Sequence, residues 1–374
     1  MREIIIDIET NMGASHIWCA VTKDLSTQEV KVWTEAEKLQ GFLAKESIII
    51  GHNVIGFDAP VLKKHWNIQL DNHQIKDTLV MSRLLKPTIE NGHSLRAWGQ
   101  RLGKNKDDFK DFDGGLTSEM VRYCKQDVEV TATLYKRLTN DLLGWGKSVD
   151  LEHRVALIVK QQEDTGFKLN VRQAMSLLVG WKNRINEIQC ELQQVFKPIV
   201  SVRFSEKTGK KLKDKTEVFN PASRKQIAER LMALGWQPTK HTEKGSVIVD
   251  EGTLQTIDIP QAKLIAEYLL VQKRVAQVES WIDHADHSDR VHCKVITNGA
   301  VTGRMTHSKP NLAQVPRVGN PFGKECRECW TVDEGNVLVG IDASGLELRM
   351  LAHYMRDEEY TNEILSGDIH TKNM

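Results

Sequence analysis

The sequence predicts an α/β domain, followed by a mostly helical region and then by a shorter segment of mixed α+β structure. Three observations lead to this fold class. Apolar strands alternate with helical spacing at the N-terminus, helical periodicity alone runs from 151 to 195, and short β-like pieces return after 291. A chain of 374 residues is long enough for two or three such regions, so a single small binding module is excluded.

The first domain is predicted from the alternation of strands and helices in residues 1–143. Its predicted elements are, in order, a strand at 3–8, a strand at 47–50, a helix at 59–66 and a helix from about 118 to 138. The second strand ends in the turn-prone residues Gly51-His52-Asn53. Gly144-Trp145-Gly146 is a plausible linker, so we expect a domain boundary near 145.

The helical region is expected to span residues 151–290. Its predicted elements are long helices over 151–195 with a turn at 165–167, a helix after the capping-type sequence at 220–223, and a helix at 259–278. Residues 205–217 contain five lysines and a single aliphatic residue, Leu212. This composition predicts an exposed loop tip.

The last segment, residues 291–374, contains short β-like pieces that end in an apolar strand predicted at Val337–Ile341. Asp342 follows that strand. The helix after it is predicted to bury one side, formed by Leu346, Met350, Leu351 and Tyr354.

Composition restricts the class of protein. No run of residues is apolar enough for a membrane span and no signal peptide precedes the first strand, so we expect a cytoplasmic protein with no membrane partner. The six cysteines are too scattered for a disulfide framework, and Cys326 and Cys329 lack a second pair for zinc. The net charge is +1, but residues 141–240 alone carry +7. A nucleic-acid partner and an ordinary basic surface are equally compatible with that asymmetry.

Five residues in the first domain suggest metal-dependent chemistry. Asp7 and Glu9 project from the same face of a strand, Asp58 begins a helix after a strand and turn, and Tyr123 and Asp127 share one face of a helix. An acidic pair at a strand end is common without any function. Four converging carboxylates, however, require cations, and two Mg²⁺ or Mn²⁺ ions would also stabilise an in-line phosphoryl displacement.

Asp7-Ile8-Glu9-Thr10, residues 53–58 and residues 123–127 resemble the three motifs of the DEDD superfamily of 3′–5′ proofreading exonucleases, in its tyrosine-bearing subgroup with an RNase H-like fold. The resemblance implies that two metal ions are held by Asp7, Glu9, Asp58 and Asp127. It also implies that Tyr123 orients the attacking water. DNA and RNA both remain possible substrates at this point.

Two longer strings lie in the last eighty residues. TNGAVTGRMTHSKPNLAQVP (297–316) and GIDASGLELRMLAHYM (340–355) resemble the palm of family A DNA polymerases, especially the phage replicative branch. The resemblance implies that Asp342 binds the polymerisation metals, Glu347 packs against the sugar of the incoming dNTP, and Arg304 contacts the primer-template. It also implies that His370, at the start of the fingers, reaches the nucleotide phosphates. Residues 151–290 would then be the thumb, and 291–374 an incomplete α+β palm.

The resemblance has two departures. The stretch 198–217 is short where some phage members carry a long thioredoxin-binding insertion, so thioredoxin is not expected as a partner. The fingers helix and the second palm carboxylate do not occur in the sequence. We therefore expect that a second polypeptide carrying them would be needed for synthesis.

The sequence thus predicts a family A DNA-directed DNA polymerase chain with a complete 3′–5′ exonuclease that acts on single-stranded 3′ ends. If the chain is encoded by a phage, its location is the host cytoplasm. Two alternatives stay open: a free-standing 3′–5′ exonuclease, and the N-terminal subunit of a split polymerase that acts mainly in DNA binding.

Overall fold

A computed structural model describes residues 2–44, 47–70, 75–105, 108–205 and 207–366. The chain divides into two compact units, Met1–Trp330 and Thr331–Met374, and each is described by itself. Within the described residues, none of the helices combines the length and the apolar character needed to cross a membrane.

The first unit begins with a five-stranded sheet. Its strands are β1 (Arg2–Thr10), β2 (Ile17–Asp24), β3 (Val30–Trp33), β4 (Ser47–Gly51) and β5 (Ile75–Asp77), in the spatial order β3-β2-β1-β4-β5. The central strand β1 pairs antiparallel with β2 and parallel with β4. Ile4, Ile5 and Ile6 are buried on both faces of β1. The sheet is therefore covered on both sides, as an α/β domain requires.

Helices cover this sheet. They are α1 (Ala36–Leu43), α2 (Asp58–Trp66), α3 (Thr78–Leu85), α4 (Leu95–Arg101) and α5 (Ser118–Asp141). The longest, α5, begins where the sequence predicts it, because the Thr117 hydroxyl accepts a hydrogen bond from the Met120 N–H at 3.1 Å and caps the helix. One face of α5 is buried and contacts β1 and β2.

The predicted linker at 144–146 leads directly into a helix. The Trp145 N–H donates to the Leu142 carbonyl at 2.9 Å, and α6 (Gly146–Thr165) begins at the next residue. Leu157 of α6 packs against the core beside the sheet. The first helix of the predicted helical region is thus part of the packing around the first domain.

The rest of the helical region follows the predicted order. Its elements are β6 (Phe167–Leu169), α7 (Val171–Val195), β7 (Ile199–Ser201), β8 (Lys215–Glu217), α8 (Arg224–Ala233), α9 (Glu251–Thr256) and α10 (Pro260–Asp283). α7 packs along α10. Ser223 caps α8 by accepting from the Gln226 N–H, which confirms the capping prediction. The lysine-rich loop is exposed, as predicted, and joins the antiparallel strands β7 and β8.

Short elements complete the first unit. They are β9 (Arg290–Val291), β10 (Lys294–Ile296), β11 (Thr306–Ser308), a 3₁₀ turn at Leu312–Gln314 and α11 (Gly323–Glu328). A short strand, β12 (Trp330–Thr331), begins at the last residue of this unit. The strands β10 and β11 form an antiparallel hairpin. The structure thus confirms the predicted return of short β-structure after 291.

Two predictions for the second unit are wrong. Residues 337–341 form no strand, and Ile341 is 93% exposed. The helix α12 (Leu346–Met355) does form, followed by α13 (Glu358–Ser366), but the four apolar side chains predicted to be buried are exposed. The physical reason is that a strand exists only through hydrogen bonds to a neighbouring strand, and none among the described residues pairs with 337–341.

Candidate active site

The central strand β1 presents the first two acidic residues. Its parallel pairing with β4 ends at Ile5, so Asp7 and Glu9 lie beyond the paired part, next to the loop that follows β4. The two residues are separated by one position and share a face of the strand. Glu9 is buried and Asp7 half-buried. The carboxylates of Asp7 and Glu9 therefore lie at the end of β1, beyond the last residue that pairs with β4.

The loop 51–57 and helix α2 bring the third carboxylate. Asp58 is the first residue of α2, and its Oδ1 accepts a hydrogen bond from the Ile8 N–H at 3.2 Å. Ile8 lies between Asp7 and Glu9 in the chain. This bond places the buried carboxyl of Asp58 directly beside the end of β1.

Helix α5 supplies the remaining two residues. Tyr123 and Asp127 are one helical turn apart and both belong to the buried face of α5, which packs on β1. The ring of Tyr123 lies 5.7 Å from that of Phe109 and 6.0 Å from that of Phe112, centroid to centroid. These aromatic contacts restrict the orientation of the phenol.

All five predicted residues line one cleft of about 300 Å³. The other side chains around it are those of Ile8, Thr10, Asn11, Met12, His52, Asn53, Phe57 and Phe112. The structure thus brings together the residues that the three motifs singled out. Their individual roles in binding and catalysis stay predictions.

The carboxylates in this cleft repel one another, and burial makes their ionised forms less stable. The pKa of Asp58 is raised to about 7, mainly by burial and in addition by the nearby carboxylates of Asp77 and Asp127, although backbone N–H donors act in the opposite direction. Divalent cations bound by carboxylate oxygens would remove this repulsion, and carboxylates are the ligands that Mg²⁺ and Mn²⁺ prefer. The donor set therefore fits such ions.

Cys124 was not predicted to be near this site. Its thiol lies 3.3 Å from Asp7 Oδ2, and the ligand atoms of Asp7, Glu9 and Cys124 all lie within 4.8 Å of one another. Burial raises the pKa of this thiol well above its ordinary value, so it donates to the carboxylate as a neutral group. The signal in the sequence was its position directly after Tyr123.

Two further residues that the sequence analysis missed are Asp77 and His153. Asp77 accepts hydrogen bonds from the N–H groups of Asn53 and Ile55 in the loop before Asp58, at 2.8 and 3.0 Å. Its own N–H donates to Nε2 of His153, which lies in α6. An acidic residue directly before a helix is a common N-cap. The sequence therefore gave no sign that Asp77 also binds the loop before Asp58.

The predicted polymerase residues that the structure describes are divided between the two units. Arg304 lies in the turn between β10 and β11, in the first unit. Asp342 and Glu347 belong to the second unit, where Asp342 precedes α12 and Glu347 lies in its first turn. His370 lies outside the described residues. The roles of these four residues stay predictions.

Two other sequence features have local structural explanations. A Cβ at Gly299 would collide with the side chain of Thr306, so the turn between β10 and β11 requires glycine there.

Cys326 and Cys329 are buried in the core beside Trp281, and burial raises the pKa of each thiol to about 11. The CxxC sequence is therefore part of the packing.

Comparison with known proteins identifies two families along the chain. Residues 1–143 match the family model described as 3′–5′ exonuclease, and residues 196–373 match that of DNA polymerase family A. The DNA-directed DNA polymerase of Escherichia phage T7 is 31% identical over 99% of this chain and 72% of its own length, and that of Enterobacteria phage T3 is 32% identical with the same coverage.

A solved structure shows the same fold. The POL domain of Pol1 from M. smegmatis, in a complex with DNA primer-template and dNTP, superposes with a TM-score of 0.75 at 16% identity. It is matched over 98% of this chain and 62% of its own length.

A 3′–5′ exonuclease domain joined to part of a polymerase domain defines the class. The chain belongs to DNA polymerase family A. Exonuclease and polymerase domains of this family generally use divalent metal ions. The thermostable DNA polymerase I of Thermus filiformis is a more distant relative, 26% identical over 93% of this chain and 37% of its own length.

Proposed function

We propose that this chain removes nucleotides from the 3′ end of DNA by metal-dependent hydrolysis. The observation that carries the proposal is the single cleft lined by four carboxylates and a tyrosine, contributed by β1, α2 and α5. Asp7, Glu9, Asp58 and Asp127 would hold two Mg²⁺ or Mn²⁺ ions. The bound ions would stabilise both the attacking and the leaving oxygen of the phosphoryl displacement.

The protein residues have separate tasks in this proposal. The carboxylates fix the positions of the ions. Tyr123, restricted by Phe109 and Phe112, orients the attacking water through its hydroxyl. The adjoining side chains of Met12 and Phe57 are exposed, and we infer that they contact the terminal bases of a single-stranded 3′ end.

The test uses single-stranded DNA labelled at its 5′ end, with Mg²⁺. We expect a ladder that shortens from the 3′ end and releases nucleoside 5′-monophosphates. EDTA should stop the reaction, and Mg²⁺ or Mn²⁺ should restore it. An RNA strand of the same sequence tests the choice of substrate. A chain that shortens neither strand, or that remains active in EDTA, would contradict the proposal.

A polymerase role is the second candidate, and the match of residues 196–373 to the family model favours it. We propose that 151–290 correspond to the thumb and 291–374 to part of the palm. Asp342 would bind metal, Glu347 would contact the sugar of a dNTP, and Arg304 the primer-template. His370, outside the described residues, would contact the nucleotide phosphates. The solved relative binds primer-template and dNTP, which supports these partners.

The lysine-rich loop and the strands β7 and β8 that it joins form a hairpin, called here the lysine-rich hairpin. We propose that this hairpin binds duplex DNA. All five lysines, Lys207, Lys210, Lys211, Lys213 and Lys215, are exposed. Lys211 and Lys215 lie 3.5 Å from Asp214 and Glu217, which offsets part of their charge. The remaining positive charge would attract phosphates without regard to sequence. By similarity to the phage relatives, we infer that the chain acts in the cytoplasm of a bacterial host.

A further inference from the structure

The loop 51–57 has an unusual shape that the neighbouring helix α3 maintains. Asn53 adopts a left-handed backbone conformation with φ of +64°. A Cβ at Gly56 would collide with the side chain of Asn53. A loop with these requirements keeps one shape only where surrounding groups bind it.

Asp77 and Thr78, at the start of α3, supply those groups. Asp77 Oδ1 accepts from the N–H groups of Asn53 and Leu79 at 2.8 and 2.9 Å, and Oδ2 accepts from the Ile55 N–H at 3.0 Å. The Thr78 hydroxyl donates to the Gly51 carbonyl at 3.1 Å. One carboxylate therefore caps α3 and binds two N–H groups of the loop.

His153 holds Asp77 from the other side. The Asp77 N–H donates to Nε2 of His153 at 2.7 Å, and Nδ1 of His153 donates to the Val149 carbonyl at 2.7 Å. Both side chains are buried. The imidazole thus bridges the backbone of α6 and the first residue before α3, with one nitrogen accepting and the other donating.

We propose that Asp77 and His153 are positioning residues of the exonuclease centre, which they serve by fixing the loop that delivers Asp58 to β1. The inference rests on the proposed function. The connection is short, because Asp58 follows the loop directly and its Oδ1 bonds the Ile8 N–H between Asp7 and Glu9. A loop that relaxes would move Asp58 away from the other carboxylates.

Asp77→Asn separates the two tasks of this carboxylate. The amide oxygen can keep the bonds to Asn53 and Leu79, whereas the NH₂ group in place of Oδ2 cannot accept from the Ile55 N–H. The helix cap is kept and one loop contact is lost. Ser94→Ala is the matched control, because Ser94 caps α4 through the Ala97 N–H and does not line the cleft.

The experiment measures kcat, KM for single-stranded DNA and the Mg²⁺ concentration for half-maximal exonuclease activity. For Asp77→Asn we expect kcat to fall about 10- to 100-fold and the half-maximal Mg²⁺ concentration to rise, as for groups that orient metal ligands, with KM for DNA unchanged. Ser94→Ala should keep the parental kcat and Mg²⁺ dependence even if its melting temperature falls.

His153 provides an independent test. His153→Leu removes the acceptor for the Asp77 N–H and should lower kcat, whereas His153→Gln offers an amide oxygen at a similar reach and should restore most of it. Parental kcat and Mg²⁺ dependence in Asp77→Asn, or equal losses in the Leu and Gln variants, would overturn the inference alone. An inactive parental chain would instead overturn the proposed function on which it rests.

Discussion

The cleft at the end of β1 and the segment 337–355 were both predicted from strand–acid–helix patterns, yet only the cleft is assembled. In the first region, Asp7 follows three isoleucines that are buried between paired strands. In the second, Asp342 follows an apolar run whose side chains are exposed and whose backbone is unpaired among the described residues. The comparison shows that an apolar run forms a strand only where a neighbouring strand pairs with it.

The strongest test of this contrast compares the carboxylates of the two regions. Replacing both Asp7 and Asp127 by Ala should lower the 3′–5′ exonuclease rate by several orders of magnitude, because the metal ions lose ligands from two elements. Asp342→Ala, in the second unit, should leave that rate unchanged. Degradation of DNA by the double variant at the parental rate would show that the cleft is not the exonuclease centre.

Core packing gives the next largest difference. Ile4 is fully buried in β1, and Ile4→Ala should lower the free energy of unfolding by about 2–5 kcal/mol. Ile341→Ala should change it by less than about 0.5 kcal/mol, because this side chain is exposed. Urea unfolding followed by far-UV circular dichroism measures both. A large loss in Ile341→Ala would mean that the second unit packs this residue.

The lysine-rich hairpin tests whether an exposed region can still bind a ligand. Replacing the five lysines by Gln should weaken duplex binding by about tenfold or more, for all sequences alike, and reduce its salt dependence, because fewer counterions are released. The control replaces Lys31, which is half-buried, and Lys38, which is exposed, both on the first domain. If the variant and the parent bound duplex DNA with equal affinity at each salt concentration, the hairpin would be a solvated loop that does not contact DNA.

The last expected effect is a pH dependence of stability that comes from the cleft. The folded chain keeps a proton on Asp58 up to about pH 7, whereas an unfolded chain releases it near about pH 4. In EDTA the contribution of Asp58 to the melting temperature should therefore fall as the pH rises from about 4 to 7, because at this position the folded state keeps the proton that the unfolded state releases. Asp58→Asn should flatten that slope.

Metal ions provide the check on this explanation. At about pH 8, where Asp58 is ionised, Mg²⁺ should raise the melting temperature of the parent by binding the folded state. It should raise that of Asp58→Asn less, since one ligand is weakened. If the metal-free melting temperatures of the parent and of Asp58→Asn differed by a constant amount between about pH 4 and 7, the proposed titration of Asp58 would be wrong.

The sequence by itself determined which residues of the cleft share a strand face or a helix face, and therefore the chemistry of the cleft. Residue types at fixed spacing placed Asp7 and Glu9 on one strand face and Tyr123 and Asp127 on one helix face, because these periodicities are properties of the backbone. The helix start after Ser223 followed from the capping-type sequence at 220–223, which is also a local signal. The polymerase family followed from the resemblance of the two strings at 297–316 and 340–355 to the palm of family A DNA polymerases.

Only the tertiary structure decided which distant elements bind one another. The support of loop 51–57 by Asp77, and of Asp77 by His153, joins residues 22 to 76 positions apart in the chain, and no spacing rule predicts such pairs. The packing of α6 on the first domain and the exposure of 337–341 have the same origin. Burial and strand pairing depend on which elements pack against each other in the folded chain. The local pattern of residue types within one element does not contain that information.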